Sequence, residues 1–134
     1  MPQQFTHLRP SERAIWLRAL SAGLFSPTSK FAYDVRLGEG MPIQTSWPLW
    51  LQEMATALTQ RRLDVLVVDG DAVTIVEIKQ RASTSAVGQL LTYRELYRVY
   101  IDAAAAPSLA IIAAEGSFDM EQTLAAFNIA LYLV

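Results

Sequence analysis

The chain contains no cysteine, so neither a disulfide nor a thiolate-held metal can shape it. Any metal would have to be bound by carboxylates, carbonyls, histidine or water, a donor set that favours a hard divalent cation. Histidine occurs once, at His7, in a polar lead where a solvated loop residue is expected. No zinc-spaced cluster, no Ser/His/Asp arrangement and no glycine-rich phosphate loop is present, which excludes several enzyme classes at the outset. No stretch approaches the roughly 18 apolar residues of a membrane span, and no charged segment followed by an apolar run opens the chain. This predicts a cytoplasmic protein without a membrane partner. An excess of positive charge is missing too: the net charge is -2 and the pI about 5.3, so tight non-specific binding of nucleic acid is not expected. There is no internal repeat, low-complexity tract or linker, and 134 residues with 52% apolar and 18% charged composition suit one domain over 1–134.

What is present reads as alternating helices and strands. Ser11 can cap a first helix carrying Ile15, Trp16, Ala19 and Leu20 at helical spacing, with Gly23 to end it. Lys30 to Leu37 alternates Phe31, Tyr33, Val35 and Leu37 against Ala32, Asp34 and Arg36, which predicts a half-buried strand. Pro48 to Gln60 places Leu51, Met54, Ala55 and Leu58 at helical spacing. Leu63 to Lys79 is two β-rich stretches around an Asp-Gly-Asp turn. Ser83-Thr84-Ser85 opens a helix running to about Tyr100; Leu109 to Ala114 reads as a buried strand, Asp119 to Phe127 as a helix and Ile129 to Val134 as a last strand. The predicted order is α-β-α-β-β-α-β-α-β.

The hairpin carries the chemistry. With Gly70 and Asp71 at the tip, Asp69 faces Ala72 and Asp64 falls opposite Glu77; with Asp69-Gly70 at the tip, the two acids are diagonal neighbours on the same face. Directly opposed residues have Cβ atoms about 4.5 to 5.5 Å apart, close enough for two carboxylates to share a cation. Lys79 points to the same side because strand side chains alternate. Opposed like charges destabilise a sheet, and a cation such as Mg²⁺ would resolve the conflict, with the Ile78 carbonyl as a further oxygen ligand. Lys79 could then orient water or stabilise charge on a phosphate. The blander reading is a solvated hairpin face with Lys79 bridging two acids. Against it, Glu77 and Lys79 interrupt a nearly continuous apolar strand, and Gln89 sits on the next helix in one stripe with Tyr93, Leu96 and Tyr100.

These residues resemble the PD-(D/E)XK nuclease superfamily, in the RecB-like and NucS-like branch where the E-x-K strand leads into a helix with a Q-L-x-x-Y pattern. The likeness rests on Arg62 to Leu66 for the first acid, Ile75 to Lys79 for the E-x-K and Gly88 to Tyr93 for the helix motif, within roughly the second half of the chain. It implies an α/β, restriction-endonuclease-like mixed sheet flanked by helices, dependence on Mg²⁺ or Mn²⁺, and cleavage of DNA. It further implies Asp64 and Glu77 as metal ligands, Lys79 as catalytic lysine and Gln89 as a supporting polar residue. Leu63 stands where the superfamily's eponymous proline would be. Members often add a glutamate from the first core helix, for which Glu12 is preferred over Glu53. The helix predicted at 48–60 is an insertion that could cover or block the site.

Arg61, Arg62, Arg81, Arg94 and Arg98 flank the motifs and could contact phosphates, with scattered surface arginines as the alternative. Trp16, Trp47, Trp50 and the tyrosines at 93, 97 and 100 are expected to be core residues rather than base-stacking platforms. Two functions compete. One is a small metal-dependent deoxyribonuclease of the size found in phage or mobile elements, with DNA as partner and a homodimer or larger assembly open. The other is a catalytically inactive binding or assembly module that keeps the nuclease fold.

Overall fold

Strands that are apolar on both faces need cover on both, and the chain supplies a helix to each side of one sheet. The computed structural model describes residues 6–134. Its elements are α1 (Pro10–Ser21), β1 (Lys30–Leu37), α2 (Leu49–Thr59), β2 (Arg61–Asp69), β3 (Ala72–Arg81), α3 (Thr84–Tyr100), β4 (Ser108–Glu115), α4 (Glu121–Ala126) and β5 (Ile129–Leu133). The five strands lie in sequence order, β1-β2-β3-β4-β5. β1, β2 and β3 pair antiparallel, whereas β3, β4 and β5 pair parallel, as the α3 and α4 crossovers require. The architecture is thus α/β, a mixed sheet flanked by helices.

Two cores result. On one side α1 packs Ile15, Trp16 and Ala19 against Val65, Val67, Val76, Ile78, Ala110 and Ile112. On the other, α3 lays Ala86, Val87, Leu90, Tyr93 and Tyr97 over Leu66, Ile75, Leu109 and Ile111. Trp16 is fully buried, its ring 5.4 to 6.0 Å from those of Phe25, Phe31 and Tyr33. β4 is sandwiched between both layers, which is why Leu109 to Ala113 is a continuous apolar run.

Local chemistry sets the ends. α1 starts at Pro10 rather than after Ser11: proline suits the first helical position, and the Glu12 carboxylate accepts the Arg9 N–H at 3.4 Å. Ser83 caps α3, accepting the Ala86 N–H at 3.3 Å. The hairpin turns at Gly70-Asp71, with Asp69 facing Ala72 and Gly70 at φ +61, the first turn position where glycine removes the steric penalty.

Two expectations fail. β1 does not keep one apolar face: Phe31 and Tyr33 join the α1 core, whereas Val35 and Leu37 join the α3 core. The switch occurs at Asp34, whose φ is +54. The second failure is α2, which buries none of its residues and packs extensively against no other element. Trp50 is 63% exposed and Leu58 74%, so Trp50 is not the core residue expected.

The two tryptophans make the contrast measurable. In urea unfolding, Trp16→Ala is expected to lose about 3–5 kcal/mol, the cost of emptying a large core site. Trp50→Ala should stay within about 0.5 kcal/mol of the parent, as exposed positions do. Equal losses would contradict the exposed placement of α2.

Candidate active site

The ladder joining β2 to β3 runs from Asp69–Ala72 at the turn to Val65–Val76 and stops there. Beyond that rung β2 stays with β1 as far as Arg61, and β3 stays with β4 as far as Arg81. The sheet therefore forks, and the next residue on each arm is an acid, Asp64 on β2 and Glu77 on β3. Asp64 reaches across the gap, its Oδ2 accepting the Ile78 N–H at 2.9 Å. A backbone donor freed where the rungs end is thereby satisfied by a side chain. This brings the Ile78 backbone to the fork through its N–H, while its side chain fills the α1 core.

Glu77 is 2% exposed and is the buried charged residue among those described. The Asp64 carboxyl and the Tyr93 hydroxyl from α3 lie close enough for their charge and polarity to act on it. Burial first, then the hydrogen bond and charge of Asp64, push its pKa up to about 10; Lys79 opposes that rise and Glu12 adds to it. Tyr93 is also held well above the ordinary phenol range, first by burial and then by the negative charge of Glu77 and Asp64, with Arg61 pulling the other way. The charges of Lys79 and Arg61 thus reach the carboxyl group and the phenol from the two arms of the fork.

The arrangement contains polar atoms without protein partners. Glu77 Oε2 and Gln89 Oε1 are buried and take no hydrogen bond. Gln89 lies one helical turn before Tyr93 on α3, hence on the same side of that helix. His7 Nε2 is a third such atom, 3.7 Å from Asp64 Oδ1. The expectation of a solvated His7 is therefore corrected: its side chain is 16% exposed and lies against the first acid. No spacing in the sequence signals this, because the lead preceding α1 reaches the fork only through tertiary packing. Tyr93 was placed in the core by periodicity, which its burial bears out, but the reach of its hydroxyl to Glu77 carries no sequence signal.

Other expected participants sit elsewhere. Arg62 forks onto Asp34, Arg81 binds Glu115 with Nε at 3.0 Å, and Arg94 lies 3.6 Å from Glu95. Of the five arginines weighed as phosphate contacts, these three are thus paired within the chain, and Arg98 lies 3.8 Å from Glu95. Arg94 also lines a hollow of about 420 Å³ with Ser108 and Leu109, at the end of β4 away from the level of Glu77. Glu53 lines a separate hollow under α2 with Arg36 and Gln60, whereas the charge of Glu12 acts on Glu77. Of the two glutamates weighed as an additional acid, Glu12 is the one whose charge reaches Glu77.

Among the described residues no three His, Asp or Glu side chains converge as a ready-made metal cluster. A pair of carboxylates completed by waters is nevertheless a donor set Mg²⁺ accepts. The orphaned Glu77 Oε2 beside Asp64 fits that role, because a divalent ion can replace the proton that burial otherwise imposes.

Two solved structures resemble the whole of this arrangement in fold. One is a repair endonuclease from Pyrococcus abyssi, with a TM-score of 0.54 and 15% identity over 95% of this chain and 47% of that one. The other is the EndoMS–dsDNA2 complex, with a TM-score of 0.54 and 17% identity over 95% of this chain and 46% of that one. The chain therefore shares the fold of these two structures and spans under half the length of each. No family model and no curated protein matches the sequence.

The raised carboxyl of Glu77 gives a signed pH effect. Its folded pKa exceeds the reference value of 4.5, so the folded state holds a proton that the unfolded state releases. The stability this confers is complete below about 4.5 and is lost as pH climbs towards about 10. Without metal, the melting temperature should fall between pH 6 and pH 9, and Glu77→Gln should flatten the profile and raise the pH 8 value by several degrees, about 4 °C or more per kcal/mol. An unchanged slope in the variant would refute this account of the buried carboxyl.

Proposed function

We propose that this chain is a metal-dependent nuclease domain that hydrolyses DNA phosphodiester bonds at the fork between β2 and β3. The carrying observation is Glu77, a buried carboxyl with one unpartnered oxygen, set beside Asp64 and two residues from Lys79 where the sheet opens. Endonuclease neighbours of the same fold support the reading, one of them in complex with double-stranded DNA.

Asp64 and Glu77 would hold Mg²⁺ or Mn²⁺, with the Ile78 carbonyl and waters filling the remaining positions. The bound ion would supply Lewis acidity, activating water and offsetting charge on the phosphate. Glu77 gives up its proton on loading, and the Tyr93 hydroxyl steadies its carboxylate. The Lys79 ammonium, on the same face two residues along, stabilises charge on the phosphoryl oxygens or orients the attacking water. Gln89 Oε1 offers a buried acceptor to a water, and Glu12 brings further negative charge towards the cation. Arg61, whose charge reaches Tyr93, would meet a neighbouring phosphate.

The test incubates the purified chain with single-stranded, double-stranded and branched DNA, with and without Mg²⁺ or Mn²⁺. Cleavage should require metal and fall at least about 100-fold in Glu77→Ala and in Lys79→Ala, the scale of losing a transition-state contact. Mn²⁺ should raise the melting temperature of the parent but not of Glu77→Ala. A folded parent that binds metal and leaves every DNA intact rejects the reading. One observation favours the assembly-module alternative: the exposed apolar surface of α2, with its Trp50, Met54 and Leu58. On that reading Lys79→Ala alters nothing, while Trp50→Asp abolishes partner capture.

A further inference from the structure

Asp34 is a non-glycine residue at φ +54 in the middle of a strand, a conformation that persists only where its surroundings hold it. The rungs on either side keep one register, Tyr33 with Val65 and Val35 with Leu63, yet no rung joins Asp34 to Asp64. Across this gap both strands exchange faces together. Tyr33 and Val65 belong to the α1 core, and Val35 and Leu63 belong to the α3 core. In a regular ladder residues two apart share a face, so the pair Asp34 and Asp64 is a pivot about which both strands turn over. At such a pivot a side chain leaves the usual up-or-down alternation. That of Asp64 is directed sideways to the Ile78 N–H on β3.

Arg62, two residues from Asp64, closes the pivot from β2. Its Nε donates to Asp34 Oδ1 at 2.9 Å and its terminal nitrogen to Oδ2, a two-pronged, charge-assisted contact. The fork contact ties the strained residue of β1 to the strand that carries the first acid. Aspartate is among the few side chains that tolerate the left-handed region, and here its carboxylate is held as well.

We infer that Asp34 and Arg62 are positioning residues: their ion pair locks the strand pivot and thereby aims the Asp64 carboxylate across the fork. Neither touches the reacting atoms. The effect on metal binding rests on the function proposed above, whereas the aim of Asp64 does not.

The test therefore begins on metal-free protein, with amide hydrogen exchange followed by NMR. In Asp34→Ala and in Arg62→Ala, the Ile78 amide should lose about tenfold or more of its protection, the size of one hydrogen bond to a charged acceptor, while β4 amides from Leu109 to Ile112 hold theirs. Asp34→Asn, which tolerates the same backbone and still accepts from Arg62, should restore most of the Ile78 protection. Mn²⁺ affinity measured by calorimetry should fall in the same order across the variants, but not in Leu58→Ala, a substitution on the exposed side of α2. Unchanged Ile78 protection in Asp34→Ala, or a loss shared equally by the β4 amides, overturns the inference. A parent that binds no Mn²⁺ refutes the metal reading, and the Ile78 amide still decides the role of Asp34 and Arg62.

Discussion

An ionised carboxylate sealed among valine, isoleucine and leucine has no water to hold its charge, and it must keep a proton, find a cation or destabilise the fold. Glu77 is in that position, and the residues around it answer that constraint. The opening between β2 and β3 gives it one side that is not hydrocarbon. Asp64 and Tyr93 provide partners for a proton, and Lys79 supplies a nearby positive charge.

The two cores make that opening sustainable. α1 and α3 grip the sheet from opposite sides and hold the arms through β1 and β4, so the gap between them need not be filled. α1 brings Glu12 and the lead with His7 to the mouth, and α3 brings Gln89 and Tyr93. Both helices thus contribute core on one turn and polar groups on another. The packing that stabilises the sheet also fixes the geometry of the polar groups.

Most of the element order was legible in the sequence because hydrophobic period and turn chemistry agreed there: the Asp-Gly-Asp turn, the Ser83 cap and the apolar run of β4 each point one way. The juxtaposition of Asp64 and Glu77 followed from counting back along two strands from one turn. Counting failed at β1, where the alternation of KFAYDVRL is perfect on paper and a single left-handed residue reverses it. It gave no warning of the partners of His7, Arg62 and Arg81, because these lie 28 to 57 positions away: Asp64 for His7, Asp34 for Arg62 and Glu115 for Arg81; Arg94, beside Glu95, is the exception. α2 forms where its period predicts, but its apolar stripe buries no residue among those described.

Among the described residues, the short ladder from Asp69–Ala72 to Val65–Val76 is the seam that joins the β1–β2 pair to the parallel part of the sheet. It works as the spring of a pair of tongs. The jaws, one tipped with Asp64 and the other with Glu77 and Lys79, are each clamped to their own half-sheet, so their spacing follows the twist of the seam. Stiff, β-branched residues at Val65, Val67, Val68, Val73, Thr74, Ile75 and Val76 give that spring little slack. The separation of the two acids is thus set by side chains that belong to neither of them.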